Sequence, residues 1–241
     1  MAEEYEYTYF RVPKNEDGLP RSAQQYKELR LSALKLSPSS FAATYDSEAT
    51  LKDEYWRSRL AHVGSETFVC GARRISSSTA SGSGSSENGT GNGKEEPLQW
   101  VAQLTLLGPR TKSQWALRPE EVALDTTPEN EEERWQLLGL YTLPTHRGKG
   151  VARSLCDEAV RYLIEDRTGP KNVVVRLIVR GTMSGVIRFY EQMGYEEVDR
   201  AALAEAMIAN GEGDLLPGDY RDQERLWVRS GFVLVKRVSR A

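Results

Sequence analysis

At 241 residues, with 39% hydrophobic and 28% charged side chains, the chain has the make-up of a globular protein able to bury a sizeable core. A formal charge of −3, from 35 acids against 32 bases, supplies no uniform basic field for nucleic-acid phosphates. Cys70 and Cys156 stand in no disulfide, redox or metal-ligand spacing, so no metal is expected, and a reducing, cytoplasmic compartment is, with the nucleus left open. There is no basic start with an apolar run, and no stretch near the roughly 20 apolar residues of a membrane span, so neither membrane nor nucleic acid is an expected partner.

In chain order, Tyr5, Tyr7 and Tyr9 alternate with polar residues as in a half-buried strand. Ser22 with Gln25 suggests a capping box for a helix carrying Tyr26, Leu29, Ala33 and Leu36 on one face until Pro38. A second helix is predicted from about Lys52, and Thr67–Ala72 reads as a strand. Residues 76–96 are almost wholly Ser, Gly, Thr, Asn and Glu, a composition that buries too little apolar surface to order itself and predicts a flexible inter-strand insertion.

Trp100–Leu106 resumes strand-like alternation, Pro109–Arg134 is a polar, acid-rich excursion, and Trp135–Tyr141 reads as a buried strand. An amphipathic helix is expected from Val151 to about Asp166, with Val151, Leu155, Ala159 and Tyr162 on one face and Cys156 as a small core residue. Val173–Val179 is a β-branched strand, and Val186, Ile187, Tyr190 and Met193 mark a helix that Gly194 ends as a left-handed cap. Residues 201–224 read as a second insertion carrying a short helix, before closing strand material in Trp227–Val238 around Gly231.

The stretch with the most chemical content is Leu140–Ala152, a strand end, a glycine-bearing turn and a helix start. Glycines let backbone approach a ligand, and the unpaired first N–H groups of the following helix point at an anion, for which a pyrophosphate is the natural occupant. Neither the P-loop spacing nor the G-x-G-x-x-G of dinucleotide folds is present. His146 is expected solvated beside Arg147.

Arg147-Gly148-Lys149-Gly150-Val151-Ala152 resembles the R/Q-x-x-G-x-G/A acyl-coenzyme A signature of the GNAT superfamily of N-acetyltransferases. Upstream, Leu140-Tyr141-Thr142-Leu143-Pro144 resembles that family's strand end, and Ile187–Tyr195 resembles its later helix and turn, in the family's order. The resemblance implies one α/β (α+β) domain over residues 1–241, built on a mixed, strongly bent sheet of about six to seven strands flanked by about four helices. Splayed parallel strands ending near Leu143 and Val179 would hold acetyl-CoA. It further implies transfer of an acetyl group to a primary amine of a small molecule or protein through a direct ternary complex. A non-catalytic acyl-CoA sensor or interaction module of the same fold is the alternative, and a homodimer is compatible with the family.

Residue by residue, the resemblance implies cofactor contacts from Tyr141, Thr142 and Leu143, whose backbone would meet the acetyl carbonyl. Arg147 through Ala152 would hold the pyrophosphate, with Arg153 and Ser154 outside them. Tyr190 corresponds to the family's general acid and contacts the cofactor, or else is a core aromatic. Where the family often has a basic glutamate the chain has Gln136, so Glu133, just before the strand, is the candidate base, acting directly or through water. Ser184 stands next to Met183, where the family has a cofactor-contacting asparagine, and either replaces it or caps the helix. Phe41, Tyr45 and Glu48 fall where the acceptor pocket is expected, an aromatic pair with a carboxylate for a cationic amine. Alternatively, the acidic Glu121–Glu133 segment recruits basic peptides.

Overall fold

The computed structural model describes residues 3–41, 43–75 and 98–241, so the expected insertion at 76–96 lies outside the described residues. Its centre is a seven-stranded sheet in the order β1-β2-β3-β4-β5-β7-β6. The strands are β1 Tyr5–Arg11, β2 Ser65–Arg74, β3 Gln99–Leu107, β4 Glu132–Thr142, β5 Asn172–Arg180, β6 Glu196–Ala201 and β7 Gly231–Ser239. Every neighbouring pair is antiparallel except β4 and β5, which run parallel and are joined through a helical crossover, as parallel pairing requires.

Helix α1, Leu19–Leu36, begins three residues before the expected cap, because Pro20 in its first turn presets the helical φ and needs no N–H partner there. It buries Ala23, Tyr26, Leu29 and Ala33, and Pro38 follows its end. Helices α2 (Tyr45–Ala49, with a Thr44–Ser47 capping box) and α3 (Asp53–Ala61) lead into β2. The polar excursion before β4 holds two short helices that hydrophobic periodicity did not show, α4 Lys112–Trp115 and α5 Pro119–Leu124. Helix α6, Val151–Arg161, continues as a π-helical turn over Tyr162–Asp166, and α7 is Ser184–Glu191. The second expected insertion contains α8, Leu203–Ala209, and joins β6 to β7; β6 itself, with mostly exposed side chains, was not expected.

Apolar residues alternate along the strands and divide between two faces. On one, Phe68, Leu104, Trp135 and Val175 pack against Leu155, Cys156 and Ala159 of α6 and Ile187 and Tyr190 of α7. On the other, Val69 and Trp100 meet Tyr26, Leu29, Trp56 and Leu60 of α1 and α3. A small separate cluster of Ala204, Leu216 and Leu226, with Met207 and Tyr220 against it, stabilises the β6–β7 connection.

The β4–β5 ladder runs only from Glu132 opposite Asn172 to Gln136 opposite Arg176. Beyond that rung β4 stays with β3 as far as Thr142 opposite Ala102, and β5 stays with β7 as far as Arg180 opposite Gly231, so the two half-sheets separate. From Thr105–Leu138 to Gln103–Tyr141 the register advances two residues on β3 and three on β4, a bulge that carries Gly139 at φ +67° and bends β4 away from β5. The last rung is tied by its side chains: Arg176 Nε donates to Gln136 Oε1 at 2.7 Å and Gln136 Nε2 donates to Asn210 Oδ1 at 3.0 Å. Arg176 also donates to the carbonyl of Trp115 and stacks on its ring at 4.0 Å. Gln136, which stands where the resembled family often has a glutamate, thus has a structural role.

Replacing Gln136 by Ala strands the buried Arg176 Nε and the Asn210 side chain. A loss of about 1–3 kcal/mol of unfolding free energy is expected in chemical denaturation, with unchanged stability as the contrary result.

Candidate functional site

The separated strands form one wall-to-wall cleft of about 790 Å³, lined by Leu137–Thr142 of β4, Leu177–Arg180 of β5, Arg147 and Ala152 around the start of α6, and Tyr190 of α7. The β6–β7 connection closes its far side with residues that include Met207, Asn210 and Arg225. Concave sites of this size are the usual place for small-molecule chemistry.

Between β4 and α6 the chain makes a tight 3-10 turn, Pro144–His146, and then passes through Gly148 at φ +74° and Gly150 at φ +79°, the latter preceding the first residue of α6. A Cβ on either glycine would meet no atom within 4 Å, so the turn faces open space, and its left-handed backbone suits glycine alone among common residues. The N–H groups of Val151, Ala152 and Arg153 lack intrahelical acceptors by helix geometry, so the turn and first helical turn form a concave, donor-rich surface for an anion. Val151 is buried in the core and Ala152 lines the cleft, whereas Arg153 is exposed and Ser154 is half-buried one turn away from the glycines.

Arg147 reaches back across the cleft mouth, donating through Nε to the Thr142 carbonyl at 2.9 Å and through Nη2 to Ser37 Oγ at 3.1 Å, with its guanidinium 5.3 Å from the Tyr141 ring. Lys149 lies exposed over Tyr5 at 5.0 Å. His146 is not solvated: it is 3% exposed, enclosed by Tyr5 and Tyr7, and Tyr7 Oη is 3.0 Å from Nδ1. Burial, reinforced by nearby Lys149, holds its pKa below the ordinary imidazole value.

Leu143 N–H is spent on the Val101 carbonyl at 2.8 Å. Because successive N–H groups of an extended chain point to opposite sides, the Thr142 N–H points away from β3, towards the cleft. Of the three backbone positions expected there, Tyr141 and Leu143 therefore serve the sheet and Thr142 serves the opening.

Tyr190 lines the cleft yet is 4% exposed, packed against Phe189 and Tyr195. Burial pushes its phenol well above the usual value, with Cys156 and Tyr195 adding to the effect, so the hydroxyl keeps its proton at neutral pH. Ser184 is exposed outside the cleft lining, and the residue before the helix is Met183, so the serine is neither a cap nor a lining group. Cys70 and Cys156 are both buried, with burial pushing each thiol up to about 12, which removes them as nucleophiles.

The expected acceptor trio divides. Phe41 lines the cleft, 5.6 Å from Tyr141. Glu48 does not: it is buried in a two-point ion pair with Arg30, at 2.9 and 2.6 Å, which cancels the charge expected to hold a cationic amine. Tyr45 is turned to Lys35, 4.2 Å from its ring, and also lies outside the lining.

Glu133 is likewise displaced from its expected role. It sits on the closed part of the β4–β5 ladder, opposite Val173, with its carboxylate bound by Arg167 at 2.8 Å and by Arg240. A carboxylate held by two guanidinium groups away from the cleft is a structural anchor rather than a base. Of the other acids of the Glu121–Glu133 segment, Glu121 faces Arg118, Asp125 and Glu132 pair with Arg134 and Glu129 accepts from Lys112 N–H, so only Glu129 and the exposed Glu131 keep their charge free for a basic peptide. Sequence reasoning missed Arg59, Arg180, Asn210 and Arg225 as cleft residues, since three of them come from segments whose facing no local pattern reveals. Among the described residues no group of three or more His, Cys, Asp or Glu could hold a metal, and no helix is long and apolar enough to cross a membrane.

Glu133→Gln should cost on the order of 3 kcal/mol of stability by uncovering the two arginines while leaving turnover of the folded protein unchanged. A urea titration and a rate measurement separate these, and a selective loss of turnover would restore it as a base.

Residues 119–197 match the family model described as "Acetyltransferase (GNAT) domain". No curated protein sequence matches the chain. Among solved structures, an acetyltransferase of the GNAT family from Streptococcus pneumoniae superposes with a TM-score of 0.52 at 10% identity, over 97% of this chain and 100% of that one. Arabidopsis thaliana NAA60 in complex with acetyl-CoA gives 0.49 at 15% identity, over 96% and 99%. Spermidine N-acetyltransferase from Vibrio cholerae in complex with CoA and spermine gives 0.44 at 11%, over 97% and 95%. The glycine turn, the splayed strands and α7 fall within or beside the matched segment, and the chain accordingly has a GNAT-like fold, with residues 119–197 similar to that family's acetyltransferase domain.

Proposed function

We propose that the chain transfers an acetyl group from acetyl-CoA to an amine within a direct ternary complex. The observation that carries this reading is the open, left-handed glycine turn of Gly148 and Gly150 set beside the mouth of the strand separation. A pyrophosphate suits that turn because a Cβ-free backbone and a helix N-terminus meet there. The cleft offers a volume and an apolar lining for a pantetheine arm, and Tyr190 at its inner wall offers a proton. Acetyl-CoA, when bound, supplies an activated thioester carbonyl.

The residues divide the work. Val151, Ala152 and Arg153 N–H groups, with Gly148 and Gly150, hold the phosphates, while Arg147 is free to exchange its neutral partners for an anion. The Thr142 N–H faces the position where a carbonyl oxygen would gain charge. Tyr190, its proton retained by burial, donates to the leaving sulfur, whose thiol lies near the ordinary value of about 8.5 for a cysteine-like group. Backbone donors and a buried phenol act without reorganising, which favours transition-state over ground-state binding.

The sensor reading keeps one specific support: among the described residues no carboxylate stands free in the cleft lining to take the acceptor's proton, since Glu212, the one acid there, pairs with Arg59 at 3.5 Å. An acceptor whose amine is already neutral at working pH needs no group to deprotonate it before attack, as for α-amines with an ordinary pKa near 8; the proton its nitrogen sheds once the C–N bond forms passes to solvent, and solvent returns a proton to Tyr190 after the C–S bond breaks.

Gly148→Glu is expected to weaken acetyl-CoA binding about tenfold or more by calorimetry, whereas Gly148→Ala, which shares the backbone strain without the charge, should lose far less. Equal loss in both would remove the phosphate role. Tyr190→Phe should lower kcat about 100-fold with acetyl-CoA affinity intact; an unchanged kcat would leave the ring as packing alone.

A further inference from the structure

Among the described residues five arginines line the cleft, Arg30, Arg59, Arg147, Arg180 and Arg225, against the single carboxylate of Glu212. Two of the five are neutralised, Arg30 by Glu48 and Arg59 by Glu212. The other three bond only to neutral acceptors and keep their charge towards the opening: Arg147 to Thr142 and Ser37, Arg180 to the Ser39 carbonyl at 2.9 Å, and Arg225 to Gln223 Oε1 at 3.2 and 3.0 Å. Arg147 follows β4 and Arg180 ends β5, on the side where the glycine turn receives phosphates. Arg225 stands on the β6–β7 connection, in a wall that also presents Leu203, Met207 and Val228 together with Asn210 and the paired Glu212.

From this distribution we infer that the acceptor is an amine bearing a carboxylate, read by Arg225, and is neither a polyamine nor a basic peptide. The inference rests on the acetyl-transfer reading and specifies its substrate class. A second ammonium on the acceptor would enter a cleft with three uncompensated guanidinium groups and no free acid among the described lining residues, a like-charge juxtaposition that discriminates against it. A carboxylate would find a planar fork whose Nε and Nη2 already converge on one oxygen, that of Gln223, and which exchanges that neutral acceptor for a charged one. The apolar part of the same wall accommodates the stem between amine and carboxylate.

The test uses the full chain, acetyl-CoA and four acceptors: the amides of glycyl-glutamate, glycyl-glutamine and glycyl-lysine, which share one α-amine, and spermidine. Thiol release is expected to give glycyl-glutamate amide a kcat/KM at least about tenfold above the glutamine analogue, with the lysine analogue and spermidine slowest. Arg225→Glu should reverse the order of the glutamate and lysine acceptors, and Arg225→Gln should level them, both with acetyl-CoA affinity unchanged, since Arg225 is exposed and outside the phosphate turn. Equal rates across the charge series, or a wild-type preference for lysine or spermidine, would overturn the inference while leaving acetyl transfer standing. Bound acetyl-CoA with no thiol release for any acceptor would overturn the transfer reading and this one with it.

Discussion

The rest of the molecule depends on a hydrogen-bonded ladder that stops. β4 and β5 pair for five rungs and then give up their mutual backbone bonds, although each continues for several residues against its other neighbour. Unpaired backbone groups in an interior carry a cost comparable to a lost hydrogen bond, so an open seam persists only where something else holds its edges. Three devices do so here: the β4 bulge at Gly139, the antiparallel partners β3 and β7, and the Arg176–Gln136–Asn210 chain that ties the final rung to α4 and to the end of α8. The seam leaves the Thr142 N–H facing an opening, and the crossover from β4 to β5 must begin beside it, which brings the start of α6 to the same mouth.

Electrostatics sort the charged residues into those that build the frame and those left over for a ligand. Glu133, Glu48 and Glu132 are each occupied by arginines at distances of a direct ion pair. Buried pairs of this kind add little net stability but are costly to break, so they fix position more than they strengthen the fold. The remaining cleft charge is positive. A site of this sign attracts anionic groups such as phosphates and disfavours an ammonium close by.

Much of this was legible in the sequence. The alternation at Tyr5–Tyr9 and Trp100–Leu106, the apolar runs of Trp135–Tyr141 and Val173–Val179 and the glycine turn between Tyr141 and Val151 are local signals, and every strand but β6, with α6 and α7, lies within a few residues of its expected place. The position of the ladder break was not local: Leu137-Leu138 and Leu177-Ile178 read as ordinary buried strand. Helices α4 and α5 are too short for a periodic signal, and β6 is an edge strand with few buried side chains. The misassigned carboxylates share one cause. Glu48 is occupied by Arg30, 18 residues away, and Glu133 by Arg240, 107 residues away, and partners at such separations leave no mark on a single sequence.

The β6–β7 connection has a consequence for how such a protein could diversify. It closes the far side of the cleft, yet its packing is largely its own, centred on Ala204, Leu216 and Leu226, with Tyr220 stacked on Trp227 at 6.0 Å. A wall with a private core can accumulate substitutions without disturbing the sheet, the glycine turn or the seam. The connection is thus an exchangeable cassette, bolted to the frame where Asn210 meets Gln136, Glu212 meets Arg59 and Arg110 donates to the Ala209 carbonyl. Grafting a different connection between the same two strands would preserve those anchor points and change which amine the frame is offered.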